Sequence, residues 1–192
     1  MKKMIAALQV SLDGFIEGPN GELDWIPEWS EDFDILKEVD NCVLGGGMYP
    51  GYEKYWMSIL DNPEAVLELT GRKATKGEVD YAYFADRTPH FVLSTTLENA
   101  AWKTTTVVQH IDDVKKLKQQ TGKNIYVIGG ANMVSNLVND NQIDELRLVI
   151  HPVILGKGKA LFKEVKNLHR LKLISSKATE SGQVSVIYTF AQ

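Results

Sequence analysis

The chain has 192 residues and a mass of 21.5 kDa, with 44% hydrophobic and 24% charged residues. At roughly 150 residues per domain, one domain spanning 1–192 is expected, large enough to fold without disulfides or metal. Lys and Arg number 21 against 25 Asp and Glu, a net charge of -4 that argues against a nucleic-acid partner bound through bulk charge. Cys42 stands alone, so neither an intrachain disulfide nor a multi-cysteine zinc site is expected; within Cys42-Val43-Leu44 it reads as a small buried hydrophobe. No stretch approaches ~18 apolar residues, and Met1 to Val10 is too short for a signal sequence, so no membrane span and a cytoplasmic protein are expected.

In chain order, Met4 to Val10 predicts a buried strand and Ser11 to Leu23, rich in Gly, Pro and Asn, a loop. Ser30 opens a helical pattern through Phe33, Leu36 and Lys37. Asn41 to Gly45 predicts the second strand, followed by a Gly-rich turn through Pro50-Gly51 and a helix over Tyr52 to Leu60. Asn62-Pro63-Glu64 has the cap, proline and acid of a helix start, predicting a helix to Leu69. A helix over Gly77 to Arg87 and strands over His90 to Ser94 and Thr104 to Val108 follow. Asp112 or Asp113 caps the next helix, whose Lys115, Lys116, Lys118 and Lys123 read as a solvated face. Asn124 to Ile128 is a strand, Ala131 to about Val138 a helix, and Leu146 to Pro152 a long strand. Arg170 to Ser176 and Val184 to Phe190 alternate in period two around Ser181-Gly182, a hairpin.

This pattern predicts an α/β fold in three layers. A mostly parallel, twisted mixed sheet carries helices on both faces and ends in an antiparallel C-terminal hairpin. Ligands in such sheets bind beyond the carboxyl ends of the parallel strands. There, Ile128-Gly129-Gly130-Ala131-Asn132 runs a buried strand through two glycines into a helix. Bare backbone and unpaired helical N–H groups suit a phosphate, and a tight turn without ligand is the alternative. Gly45-Gly46-Gly47 repeats the arrangement, with plain turn chemistry as its alternative. Leu93-Ser94-Thr95-Thr96 ends a third strand in hydroxyls. His90, His110, His151 and His169 are too dispersed for a metal site or a triad, so no metal is expected and each reads as structural.

The ordered set of segments resembles the dihydrofolate reductase-like superfamily, and within it the reductase domain of the bifunctional riboflavin-biosynthesis deaminase–reductase. It rests on Met4-Ile5-Ala6-Ala7, Ser11-Leu12-Asp13-Gly14-Phe15-Ile16, Val43-Leu44-Gly45, Val92-Leu93-Ser94-Thr95-Thr96-Leu97, Val127-Ile128-Gly129-Gly130, Asp144-Glu145-Leu146-Arg147-Leu148, His151-Pro152-Val153-Ile154-Leu155-Gly156-Lys157-Gly158 and Leu161-Phe162. The resemblance implies an NADPH-dependent reductase in a stand-alone form, with a small-molecule substrate and a homodimeric state. Gly129, Gly130, Ala131 and Asn132 would cradle the pyrophosphate, and Ser94 and Thr95 would lie near the adenosine 2′-phosphate. Ala7, Phe15 and Ile16 would line the nicotinamide. Gly46, Gly47, Met48, Leu93, Ile128 and Met133 complete the implied cofactor set. Asp13 and Trp25 are the substrate-side residues, and the resemblance names no catalytic group. The family's substrate is a ribosylamino-pyrimidine phosphate whose ribose is reduced, which points to a small heterocyclic or carbonyl acceptor.

Two departures from the family pattern stand out. Where it has Gly-Arg-x-Thr, this chain has Gly45-Gly46-Gly47-Met48, so two side chains that would hold cofactor phosphate are missing. A charge-assisted contact contributes ~1.5–3 kcal/mol. That loss motivates the alternative of a non-catalytic nucleotide-binding or regulatory module. The zinc deaminase half is also absent, because its P-C-x-x-C motif needs cysteines that this chain lacks. Lys54, Lys157 and Lys159 are the nearest cations for a substrate phosphate, and Glu28, Asp32 and Asp34 are unranked as carboxylates for a pterin.

Overall fold

The computed structural model describes residues 1–29 and 34–191. Its strands are β1 (Met4–Ser11), β2 (Phe15–Glu17), β3 (Val39–Gly45), β4 (His90–Leu93), β5 (Thr105–Val108), β6 (Asn124–Gly129), β7 (Glu145–His151), β8 (Lys159–Ala160), β9 (Leu171–Ala178) and β10 (Val184–Phe190). The α-helices among the described residues are α1 (Tyr49–Asp61), α2 (Lys76–Arg87), α3 (Ile111–Lys116) and α4 (Ala131–Asn139). Eight strands form one sheet in the order β5-β4-β3-β6-β1-β7-β10-β9. Every pair from β5 to β7 is parallel, and β10 is antiparallel to both β7 and β9. A separate ribbon pairs β2 with β8. The mixed sheet and its C-terminal hairpin are the architecture the sequence predicts.

Crossovers from β3 to β4 run one way along the sheet, and those from β5 to β6 and from β6 to β7 run the other. Right-handed connections therefore put α1 and α2 on one face, and α3 and α4 on the opposite one. Strands covered on both faces lose the alternation of a half-exposed strand. Accordingly Met4, Ile5, Ala6 and Ala7 of β1 are buried in succession, as are Cys42, Val43 and Leu44 of β3 and Ile125, Tyr126 and Val127 of β6. Burial pushes the Cys42 thiol up in pKa, in line with its reading as a hydrophobe.

One buried charge organises the loops beside α2. The Glu78 side chain is fully buried and accepts hydrogen bonds from Arg72 Nη1 and Nη2 at 2.8 and 3.0 Å, and from the Tyr55 hydroxyl at 3.1 Å. It also accepts from the backbone N–H groups of Thr75 and Trp29. Thr75 caps α2 and completes a capping box with Glu78, while its hydroxyl donates to Glu28 at 2.7 Å. The loop carrying Trp25 to Trp29 is thereby fastened to a helix start. Burial disfavours the charged carboxyl, but the Arg72 guanidinium and the two N–H donors outweigh it and hold Glu78 below the usual carboxylate range.

Several boundaries differ from the sequence expectation. The helix expected over Asn62 to Leu69 is a set of turns with an isolated bridge between Val66 and Lys73. Asn62 instead closes α1, and its side chain accepts from the Glu64 N–H in a local turn; Val66 and Leu69 are exposed and Leu67 alone of the segment is buried, too little of an apolar face to support a helix. Pro50 and Gly51 lie in the first turn of α1 rather than in a loop before it. His110 caps α3, with Asp112 and Asp113 already in its first turn. Lys118 is not on a solvated face: it is buried, bonded to Asp144 at 2.6 Å and to the Gln142 carbonyl. Phe15–Glu17, inside the expected loop, pairs with β8. The expected helical start from Ser30 through Phe33 lies outside the described residues, and Leu36 and Lys37 belong to a short 3-10 turn.

Arg72→Ala leaves the Glu78 carboxylate buried without its cation and should lower unfolding free energy by about 3 kcal/mol in urea titrations at pH 7. Because the carboxyl's folded pKa is depressed, its contribution is complete above the unfolded carboxylate pKa and is lost as pH falls through the folded one. The gap between Arg72→Ala and wild type should narrow accordingly in acid.

Candidate functional site

The carboxyl ends of the neighbouring strands β3 and β6 meet through bare backbone. A Cβ placed on Gly130 would lie 3.6 Å from the Cα and N of Gly45, and one on Gly45 would lie 3.9 Å from the Gly129 carbonyl. Gly129 and Gly130 have φ of 147° and 91°, which side chains rarely adopt. Leu8 presses on Gly129, where a Cβ would stand 3.2 Å from its methyl carbon. Immediately beyond these turns α1 and α4 begin. Neither has a side-chain cap or an acidic residue in its first turn. Their first N–H groups, one fewer on α1 because Pro50 has none, lack an intrahelical acceptor and concentrate partial positive charge beside the glycines. Ala131 and Met133 bury their side chains and offer the site only backbone, whereas Asn132 is exposed.

Toward β4 and β5 the cradle continues into a cavity of about 390 Å³ lined by Gly46, Gly47, Leu93, Ser94, Thr95, Thr96, Gln109 and Ile111. The Gly46 N–H donates to the Leu93 carbonyl at 2.9 Å, and a Cβ on Gly46 would collide with Ser94. Ser94 Oγ accepts from the N–H groups of Thr96 and Leu97 at 3.2 and 2.9 Å, which leaves its own hydrogen to donate. A second cavity, of about 450 Å³, is lined by Leu36, Lys37, Asp80, Tyr83, Phe84 and Arg87. It sits by the turn that leads into β3, away from the strand ends that carry the glycines.

On the other side, β1 and β7 end together, with Ser11 opposite His151. Ser11 donates to Asp13 at 2.7 Å, and Asp13 also accepts from the N–H groups of Leu155 and Gly156 at 3.2 and 2.7 Å. The Ser11 hydroxyl, followed by those amides, holds the Asp13 carboxyl below its usual range. Asp13 thus ties the loop after β1 to the loop after β7. Trp25 is half-buried and meets the His151 ring in a T-shaped contact, centroids 5.4 Å apart and planes at 86°.

His151 is 2% exposed and hydrogen-bonded at both ring nitrogens. Gln9 Nε2 donates to the Glu28 carbonyl, so Gln9 Oε1 must accept from His151 Nε2–H, at 2.6 Å. Ser181 donates to Gln183 Oε1, so Gln183 Nε2 donates to His151 Nδ1, at 3.3 Å. The two amides independently assign one neutral tautomer. Burial lowers the pKa of His151. His90, by contrast, sits at the amino end of β4, donating to the Thr88 carbonyl and accepting from Tyr52, and burial brings its pKa down to about 4.

The structure therefore gathers Gly46, Gly47, Met48, Leu93, Ser94, Thr95, Ile128, Gly129, Gly130, Ala131, Asn132 and Met133 along adjoining strand ends. Ala7 lies inside the core on β1, and Phe15 and Ile16 sit on the β2–β8 ribbon, with Ile16 packed on the core. Asp13 has both carboxylate oxygens committed within the protein. The contacts of His151 with Gln9 and Gln183 carry no sequence signal, because 142 and 32 residues separate the two glutamines from the histidine.

The family model of the RibD C-terminal domain matches residues 2–185. The chain belongs to that family. Among curated relatives, the Bacillus subtilis protein YyaP is 34% identical over 97% of this chain and 94% of its own length. YwjB of the same organism is 28% identical over 92% and 91%. A protein assigned to riboflavin biosynthesis from Shewanella sp. PV-4 superposes with a TM-score of 0.68 at 20% identity, covering 99% of both chains. The Thermotoga maritima diaminohydroxyphosphoribosylaminopyrimidine deaminase/5-amino-6-(5-phosphoribosylamino)uracil reductase gives 0.63 at 16% identity, covering 99% of this chain and 57% of that one. Both share the dihydrofolate reductase-like fold, and the RibD C-terminal domain here corresponds in length to little more than half of the latter.

Acidification should quench Trp25 emission through the protonated His151 ring, with a midpoint below 6.5 because burial depresses that pKa. Trp25→Phe and His151→Gln should each remove this step from a fluorescence titration. The stability His151 contributes is complete above 6.5 and declines as pH falls toward its folded value. A midpoint at or above 6.5 would contradict the buried neutral tautomer.

Proposed function

We propose that this protein is a reductase that takes a hydride from NADPH and delivers it to a small heterocyclic or carbonyl acceptor. The observation that carries this reading is that two helices without side-chain caps begin beside the glycine ends of neighbouring strands, Gly45 of β3 and Gly129 of β6 with Gly130 after it. Backbone N–H groups there suit a pyrophosphate, and Gly129, Gly130, Ala131 and Asn132 would hold it. Ser94 and Thr95 would meet the adenosine ribose. Bound NADPH supplies a hydride from its dihydronicotinamide ring. On the side of β1 and β7, Trp25 and the β2–β8 ribbon would exclude water, and Asp13 would keep the surrounding loops closed. Asp13 acts in this reading through the loops, not by touching the acceptor. A second copy of the chain completes the assembly: β9 is the outermost strand, all eight of its residues are exposed, and Leu171, Leu173 and Ile174 are among them. Such an edge pairs with itself about a two-fold axis.

Asn132 occupies an exposed first-turn position, so Asn132→Asp adds a carboxylate at the helix mouth without the backbone strain that any side chain at Gly130 would bring. The variant should keep or raise its melting temperature through the helix dipole, yet weaken NADPH at least tenfold in a fluorescence titration. Undiminished affinity would remove the pyrophosphate from α4. For the assembly, Leu173→Lys with Ile174→Lys should convert dimer to monomer in light scattering. A wild-type protein that is already monomeric at high concentration would end the two-fold reading.

A further inference from the structure

The end of the cradle beyond β3 bears on which dinucleotide the protein accepts. This rests on the dinucleotide reading above and concerns only the group carried on the adenosine ribose. The sheet order flanks the β3–β6 cradle with the ends of β1 and β7 on one side and those of β4 and β5 on the other. Two nucleoside arms leaving a pyrophosphate in the cradle must diverge toward these two regions. At ~4.8 Å between strands, β4 lies about 10 Å from β6, within the span of one nucleoside. The cavity there is the one of about 390 Å³ lined by Gly46, Gly47, Leu93, Ser94, Thr95, Thr96, Gln109 and Ile111.

Not one of those lining residues is charged. The nearby bases of α3 are engaged elsewhere: Lys115 pairs with Asp112 and Asp140 at 3.0 and 2.8 Å, and Lys116 pairs with Asp113 at 2.8 Å. His110, between two lining residues in sequence, lies near the Asp113 carboxylate. A ribose phosphate carries about -1.5 to -2 charges at neutral pH, and sites that select it do so with cations in hydrogen-bonded geometry. Hydroxyls such as those of Ser94, Thr95 and Thr96 both donate and accept, so they serve a ribose hydroxyl and a phosphate alike.

We infer that this cavity receives the adenosine ribose without selecting for a 2′-phosphate, so that NADH and NADPH bind comparably, and that Gly47 is the position that sets this indifference. Gly47 is exposed, lines the cavity, and a Cβ built on it meets nothing within 4 Å. Its φ lies outside the left-handed region, so a side chain is tolerated there. Gly46 next to it has no such freedom, because a Cβ would run into Ser94.

The test measures Kd for NADH and NADPH in parallel on the full chain, by cofactor fluorescence, at low ionic strength. Wild type should show a ratio of the two constants within tenfold. Gly47→Arg should shift the ratio toward NADPH by at least a further tenfold, about 1.4 kcal/mol. Thr96→Arg, on the exposed hydroxyl run, provides an independent variant with the same expectation. A wild-type preference for NADPH above tenfold overturns the inference. A comparable wild-type affinity left unmoved by both arginines also overturns it, by placing the ribose elsewhere. Failure of both cofactors to bind at millimolar concentration is a separate result, which sinks the dinucleotide reading itself.

Discussion

The structure depends on how closely β3 and β6 approach at their carboxyl ends. A Cβ on Gly130 would reach the Gly45 backbone at 3.6 Å, and Gly129 and Gly130 hold φ values that other residues avoid. α1 and α4 both begin beside this point, with the Met48 side chain packed on Gly129. Each start keeps its unpaired N–H groups because neither Met48 nor Gly130 caps its helix with a side chain. A serine or asparagine cap in such a place stabilises a helix by about 1 kcal/mol. The protein forgoes that stabilisation at adjoining positions, and the strand ends gain a shared concentration of donors.

Around this rigid centre the loops are held by polar clamps rather than by apolar packing alone. Glu78 and Arg72 fix the segment leading to Trp29, Asp13 joins the loops after β1 and β7, and His151 links Gln9 to Gln183 beneath Trp25. Each clamp joins residues far apart in sequence, and each has its donors and acceptors matched. Buried polar groups arranged in this way favour a single loop conformation, since any displacement strands a donor or an acceptor. Trp25 is therefore presented at a defined angle to His151 at the end of β7 even though it lies in an irregular segment.

Much of the fold is legible in the sequence because burial on both faces writes itself as unbroken apolar runs. Met4 to Leu8, Cys42 to Leu44 and Ile125 to Ile128 are such runs, and each ends where a glycine or a polar residue stops it. The phosphate-compatible ends are legible for the same reason. Asn62-Pro63-Glu64 misleads because the local signals of a helix start are present while the apolar face that would hold a helix is not; Val66 and Leu69 point to solvent. Lys118 misleads because a lysine in a basic run is buried once Asp144 and a carbonyl meet it. The His151 network is invisible for a different reason. Its members sit on β1, β7 and the turn before β10, and only sheet order brings them together.

The outermost strand carries a liability of its own. In a copy of the chain not yet paired with another, β9 exposes all eight residues along the sheet edge, with Leu173 and Ile174 in the middle. Lys172 and Lys177 stand toward its two ends, and the hairpin's register breaks between Ile187 and Tyr188. Charged gatekeepers and a local irregularity are the devices by which open strands resist templating fibrillar growth. Neutralising those lysines, by acetylation or by Gln substitution, would therefore shorten the shelf life of the purified protein long before it altered the folded domain.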